Sequence, residues 1–472
     1  MPPAFSSRFA TALLIAACAV FVVSRVWILG FATIERSTVG VFAEMGFEYR
    51  LAAEQGESFY ALHARRVRED AAGRAARGVP GTDAARQDVE YPPLAVAWMV
   101  LPTYFGEIGD VDRYRAAFRA MHAAVDAITF LLTGYLARRI GMGPGWPLLV
   151  YALGGLALYP VLYDRIDLAM AALVAAALAL LVSRAHWMFA LAALALAVNF
   201  KLVPIVMAPA FVIGAIRAGG GGSARGLLMA MMIRASTFLA LCGLMFLPFY
   251  LVAGADALGF LGYHADRGVQ VESVPANLLL LTGQATGLTY THGAVDVVSS
   301  ISNAVSLGST LLTLALLAAI SIWLIAWAQR ICGPTDRAAN AADAATDTIA
   351  QRYARATVAL AALLLWSSMT TAKVLSPQYV VWLLPLAPLV FPRRIFDALF
   401  LLMCAMTTVI FPNRYYTDIA RVSGFELLLP TSTGVMLLTL RNALLVALLI
   451  ALAWAIRRRW LHTPVRGGSG DG

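Results

Sequence analysis

Apolar residues run along this chain in long stretches broken by short polar interruptions. Stretches at about 9–31, 92–106, 116–137, 146–162, 166–183, 185–200, 202–217, 227–252, 300–328, 355–372, 377–391, 395–412 and 433–456 approach the roughly 20 residues a helix needs to cross a bilayer. Several are short and read as half-helices or tilted pieces. The first follows Arg8 and is an uncleaved anchor rather than a signal peptide, because it is long and the hydrophobic chain continues after it. The pattern predicts an all-α polytopic membrane protein of about 12–13 transmembrane or re-entrant helices. It forms a single domain over residues 1–460, with a flexible tail at 461–472.

The polar interruptions predict orientation. If the helices alternate, Arg217 with Arg225, Arg330 with Arg337, Arg393 with Arg394, and Arg457 to Arg459 share one side. Short basic loops mark that side as cytoplasmic. The opposite side receives 160–167, 199–201, 253–280, 373–378 and 412–430, and also the long segment 32–91 if the N-terminus is cytoplasmic. Thirteen crossings cannot return both termini to one side, so one run is re-entrant or two short runs share a crossing; Arg138 and Arg139 fit the alternation poorly. In the first outer loop, residues 40–62 mix apolar residues with glutamates and suit an interfacial helix, whereas 63–88 reads as a solvated insertion. Residues 331–353 read as a cytoplasmic linker.

Composition agrees. The 472 residues are 60% hydrophobic and 13% charged, against about 25% charged in soluble domains. A water-soluble fold could not cover that apolar surface, but lipid can. The net charge is +9, and of 36 basic residues only Lys201 and Lys373 are lysines. In a membrane protein this balance reflects loops and anionic headgroups, not nucleic acid. Cysteines 18, 242, 332 and 404 form no CxxC or zinc spacing, and three sit in apolar runs as small hydrophobes.

Charge at a membrane boundary costs several kcal/mol unless paired or hydrated, which makes polar clusters candidates for function. Glu44 and Glu48 are four apart and share a helix face; with Tyr49 they precede Glu90-Tyr91-Pro92-Pro93. A carboxylate there could take a proton from an acceptor hydroxyl, or both could merely solvate an interfacial helix. Asp164, Arg165 and Asp167 open an apolar run and could equally cap a helix. Lys201 stands between two apolar runs beside Pro204 and suits a broken helix lining a cavity, or snorkels to headgroups. His264, Arg267, Gln270 and Glu272 lie in one polar stretch, where Arg267 could clasp an anion. Lys373, Ser376, Gln378 and Tyr379 form the last cluster. Both lysines thus fall at helix junctions on one predicted face, where with Arg267 they could make a cationic phosphate pocket. Motifs of soluble enzyme classes, such as a Walker loop, HExxH or GxSxG, are absent.

At these residues the chain resembles glycosyltransferase family 87, the polyprenyl-phosphate-mannose-dependent mannosyltransferases and their relatives. The likeness rests on Tyr49 through Gly56 to Tyr60, Glu90 to Leu94, Tyr114 and Phe118, Arg165 to Asp167, Lys201 with Pro204, Arg267 to Ser273, and Ser376 to Tyr379, in that order along the chain. The resemblance implies a GT-C fold whose site opens on the extracytoplasmic side of a bacterial inner membrane. It implies a polyprenyl-phosphate-linked sugar donor, a lipid or glycan acceptor, and inversion at the anomeric carbon. An acidic residue of the first outer loop would be the general base. The family usually has aspartate four residues before the tyrosine matched by Tyr49, and here that position is Met45. Glu44 and Glu48 flank it and are the expected substitutes. No cofactor is expected, and a divalent metal is left open. Two further readings fit the sequence: a secondary transporter of an anionic solute, and a catalytically inactive membrane partner that kept the fold.

Overall fold

The computed structural model describes residues 7–32, 38–76, 89–183, 185–216, 223–331, 343–391, 393–419 and 432–460. The chain is a multi-pass, almost entirely helical membrane protein. Among the described residues six helical segments are long and apolar enough to cross a bilayer: Arg8–Gly30, Val111–Arg139, Arg225–Asp266, Ser302–Ala326, Arg394–Tyr415 and Thr433–Arg458.

Helix α1 (Ser7–Gly30) leads to two helices, α2 (Val39–Gln55) and α3 (Phe59–Ala76), turned by Gly56 in the left-handed conformation. The helix expected near 40–62 is therefore two helices, and the second continues to residue 76 through part of the predicted insertion; residues 77–88 lie outside the described residues. Run 92–106 forms α4 (Pro93–Val100) and a 3-10 turn, Leu101–Phe105. It does not cross the bundle. Gly46 of α2 sits so close to it that an added Cβ would lie 2.8 Å from the Met99 carbonyl oxygen, which binds α4 to the outer helices.

The passes then alternate. They are α5 (Val111–Arg139), α6 (Gly145–Ala157) with α7 (Tyr159–Leu162), α8 (Asp167–Val182), α9 (Trp187–Phe200), and the 3-10 turn Val203–Met207 with α10 (Ala208–Gly214). Next comes α11 (Ala224–Ala253), which leads into α12 (Gly259–Asp266), α13 (Val274–Leu281) and a hairpin of β1 (Gly287–Thr291) and β2 (Ala294–Val298). The last passes are α14 (Ser302–Ile331), α15 (Asp343–Thr371), the 3-10 turn Pro377–Leu383 with α16 (Ala387–Val390), α17 (Arg394–Thr408) and α18 (Thr433–Trp460). The expected linker 331–353 is helical from Asp343; residues 332–342 lie outside the described residues.

Arg139 donates to the Val182 carbonyl at 2.9 Å, and Arg355 to the Ile140 carbonyl at 2.7 Å. Trp146 donates to Asp397 at 2.7 Å, and Arg394 lies over its ring at 4.5 Å. Arg138 and Arg139 thus share an end with Arg393 and Arg394. Among the described residues the strand pair is the departure from all-α. His292 and Gly293 both have positive φ (48° and 69°), the requirement of the tight turn that matches strand twist.

The opposite end is recessed. Helices α8, α9 and α10 have only 16, 14 and 7 residues, and 16 residues extend about 24 Å. Arg119 is eight residues into α5 yet pairs with Asp164. Arg441 is eight residues into α18 yet donates to the Glu272 carbonyl. Ser309, seven residues into α14, donates to the Thr371 carbonyl. Three long helices therefore rise roughly 10–12 Å beyond the polar loops between them.

Candidate functional site

At the floor of this recess Asp167 begins α8, and Lys201 follows the last turn of α9. The Lys201 ammonium lies 2.6 Å from Asp167 Oδ1, which also accepts from Trp382 Nε1 at 2.6 Å. Tyr379 and Trp382, three apart on a 3-10 turn, stack at 4.0 Å, with the ammonium 5.1 and 5.0 Å from their ring centres. Its charge is shared by a carboxylate and two π faces, which fixes its position.

Arg267 stands above, where α12 ends. It is 6% exposed and, among the described residues, makes no hydrogen bond or ion pair. Burial alone would lower its pKa, but the facing Tyr379, Glu90, Tyr263 and Asp296 outweigh that and hold it raised. Its N–H donors are not sealed from solvent, so an anion entering from that side could accept from the guanidinium. Lys373 donates to the Ala265 carbonyl at 3.0 Å, and its backbone carbonyl accepts from Gln270 N at 2.9 Å. Burial and neighbouring Arg267 lower its pKa, opposed by Asp296 and Asp266. His264 lies within electrostatic reach of Glu90, Arg267 and Lys201. Lys373 and Arg267 thus lie within electrostatic reach of each other, and Arg267 and Lys201 each within reach of His264.

Other predicted residues fall around them. Tyr91 is buried within reach of Glu90, Arg165, Asp167 and Tyr263, and its ring meets Phe42 edge-on at 5.9 Å. Ser376 and Gln270 bond at 3.3 Å, tying the last cluster to the loop after α12. Asp164 is held by Arg119 at 2.8 Å, and Arg165 lies over Phe411 at 5.9 Å. Gln378 is buried, with Oε1 lacking a hydrogen-bond partner.

The α2 residues stand apart. Glu44 is exposed. Glu48 pairs with His63 at 2.8 Å and Arg66 at 3.4 Å, closing the α2–α3 turn. Tyr49 packs on Phe59 at 5.5 Å. Sequence reasoning missed Arg119, Trp382 and Asp296. Asp296 is 3% exposed, accepts from Thr291 at 2.5 Å and faces both Arg267 and Lys373. Its signal was a lone carboxylate inside the apolar stretch Ala294–Val298.

In comparison with known proteins, the chain matches no protein-family model and no curated sequence. The site is therefore read from its own chemistry. It offers a guanidinium with no partner among the described residues, the ammonium groups of Lys201 and Lys373 held on Asp167 and the Ala265 carbonyl, a stacked aromatic pair and nearby carboxylates. Among the described residues no three His, Cys, Asp or Glu side chains gather closely enough to hold a metal ion.

Proposed function

We propose that the protein is a membrane glycosyltransferase of GT-C architecture. It moves a sugar, mannose or another hexose, from a polyprenyl-phosphate donor to a lipid or glycan acceptor on the extracytoplasmic side of a bacterial inner membrane. The observation that carries this reading is Arg267: nine-tenths buried, with no hydrogen-bond or ion-pair partner among the described residues, within electrostatic reach of Lys373 and sharing His264 with Lys201. In a chain of apolar helices such donors suit an anionic headgroup on an apolar tail. The recess and the α2–α3 pair beside it fit a donor whose tail stays in lipid while its phosphate reaches Arg267.

In this reading the donor phosphate is the leaving group. As the bond to the anomeric carbon breaks, charge grows on the phosphate. Fixed cations in a low-dielectric site favour that state without reorganising. Tyr379 and Trp382 keep Lys201 in place, and of the two the half-buried Tyr379 is the one that could meet the sugar. A carboxylate near the acceptor takes the hydroxyl proton.

The test is transfer by purified protein given short-chain polyprenyl-phosphate mannose and host lipid extract. Mass spectrometry should show a hexose-sized gain on an acceptor, and Arg267→Ala should abolish it while melting like wild type. Uptake of an anionic solute into proteoliposomes without lipid donor, with no transfer, would overturn the reading in favour of a transporter.

A further inference from the structure

If the chain transfers a glycosyl group, a carboxylate must take the acceptor's proton, and this inference rests on that reading. The carboxylates near the recess differ in what already occupies them. Glu48 is closed off by His63 and Arg66, Asp164 by Arg119, and Asp167 by Lys201 and Trp382. Asp296 accepts from Thr291 through Oδ2 and is 3% exposed, its Oδ1 buried without a partner among the described residues. Glu272 is 1% exposed beneath Arg441. Met45 fills the position where the resemblance leads one to expect aspartate, and it is buried against α4.

Glu90 differs from all of these. It is half-buried, at the end of the first outer segment and just before the two prolines that start α4. Among the described residues its carboxylate has no hydrogen bond or ion pair. It nevertheless acts electrostatically on Arg267, His264 and Tyr91. Pro92, with φ −56° and ψ 151°, and Pro93 leave the backbone at this point little freedom. Half-buried, with His264 hydrogen-bonded to its backbone, Glu90 is thus held within electrostatic reach of Arg267.

We propose that Glu90 is the proton acceptor of the transfer reaction, working beside Arg267. The acceptor oxygen forms its bond to the anomeric carbon as its proton passes to the Glu90 carboxylate. The bond from that carbon to the phosphate oxygen breaks, and its electron pair leaves with the polyprenyl phosphate. That product gains one negative charge, set against Arg267 and Lys201. Glu90 then returns the proton to water at the open side. The titratable and charged groups facing it are Arg267, His264 and Tyr91.

The experiment compares wild type, Glu90→Gln and Glu90→Asp with the polyprenyl-phosphate mannose donor across pH. Glu90→Gln should lower kcat by roughly 10²–10⁴-fold, with donor KM little changed, and should lose the acid limb of the pH–rate profile. Glu90→Asp should recover part of the rate and keep that limb. Should Glu90→Gln not purify folded, Glu90→Asp decides: an unchanged rate overturns the proposal. It is also overturned if Glu90→Gln turns over normally, or if a Glu44→Gln, Glu48→Gln double variant alone removes the acid limb. Wild-type protein with no transfer at all defeats the assigned function instead, so the two failures are distinguishable.

Discussion

Glu272 lies within the polar stretch that also carries Arg267, yet its surroundings set it apart. Burial pushes its carboxyl up to about 7, against the pull of Arg441 and Arg165. The Arg441 guanidinium is 3.9 Å from Glu272 Oε1 and spends its 2.9 Å hydrogen bond on the backbone carbonyl instead. Desolvation therefore wins over pairing. A carboxyl raised on folding contributes stability that is present below the unfolded value, near 4.5, and is lost as pH rises to about 7. The melting temperature in detergent should fall between about pH 5 and pH 7. Glu272→Gln should flatten that slope. The slope is the readout, because glutamine also leaves Arg441 with less countercharge. An identical slope in the variant would contradict this assignment.

At the scale of elements, one buried network joins α1, α5, α6 and the turn that carries Asp164 and Asp167. Arg25 Nε lies 2.7 Å from Asp126 Oδ2, which also accepts from Tyr163 OH at 2.7 Å, while Oδ1 accepts from Tyr151 OH at 2.5 Å. Arg25 donates in addition to the Ala152 carbonyl at 2.7 Å. Removing one partner strands a charge, so Asp126→Ala should cost about 3–5 kcal/mol, and a matched Arg25→Met, Asp126→Leu double variant should recover much of it. Thermal unfolding in one detergent checks both. This network also shows where sequence reading stops. The apolar runs locate nearly every pass, because length and hydropathy are properties of the chain itself. A single polar residue inside such a run looks the same whether it faces lipid, a neighbour or a cavity, so Asp126 and Arg119 were invisible. Similarly, the spacing of Glu44 and Glu48 shows that they share a face but not what that face meets. Run 92–106 reads as apolar enough to cross, but it folds as an eight-residue helix and a 3-10 turn packed closely on Gly46 of α2, which the pattern did not reveal.

Across the whole molecule, long helices fence a depression floored by short ones, and distant loops meet inside it. Lys201 and Lys373 were legible as candidates because a lysine at a junction between apolar helices is conspicuous. Their company was not: Trp382, Asp296 and the hairpin arrive through packing between segments far apart in sequence. The central claim is that Arg267, without a partner in this recess, receives the phosphate of a lipid-linked donor. Equilibrium binding of a short-chain polyprenyl phosphate to purified protein tests it most directly. Wild type should bind saturably, and Arg267→Ala should weaken binding by about 30-fold or more, the equivalent of losing at least 2 kcal/mol from a buried charged contact. Equal affinity in the two proteins would contradict the account.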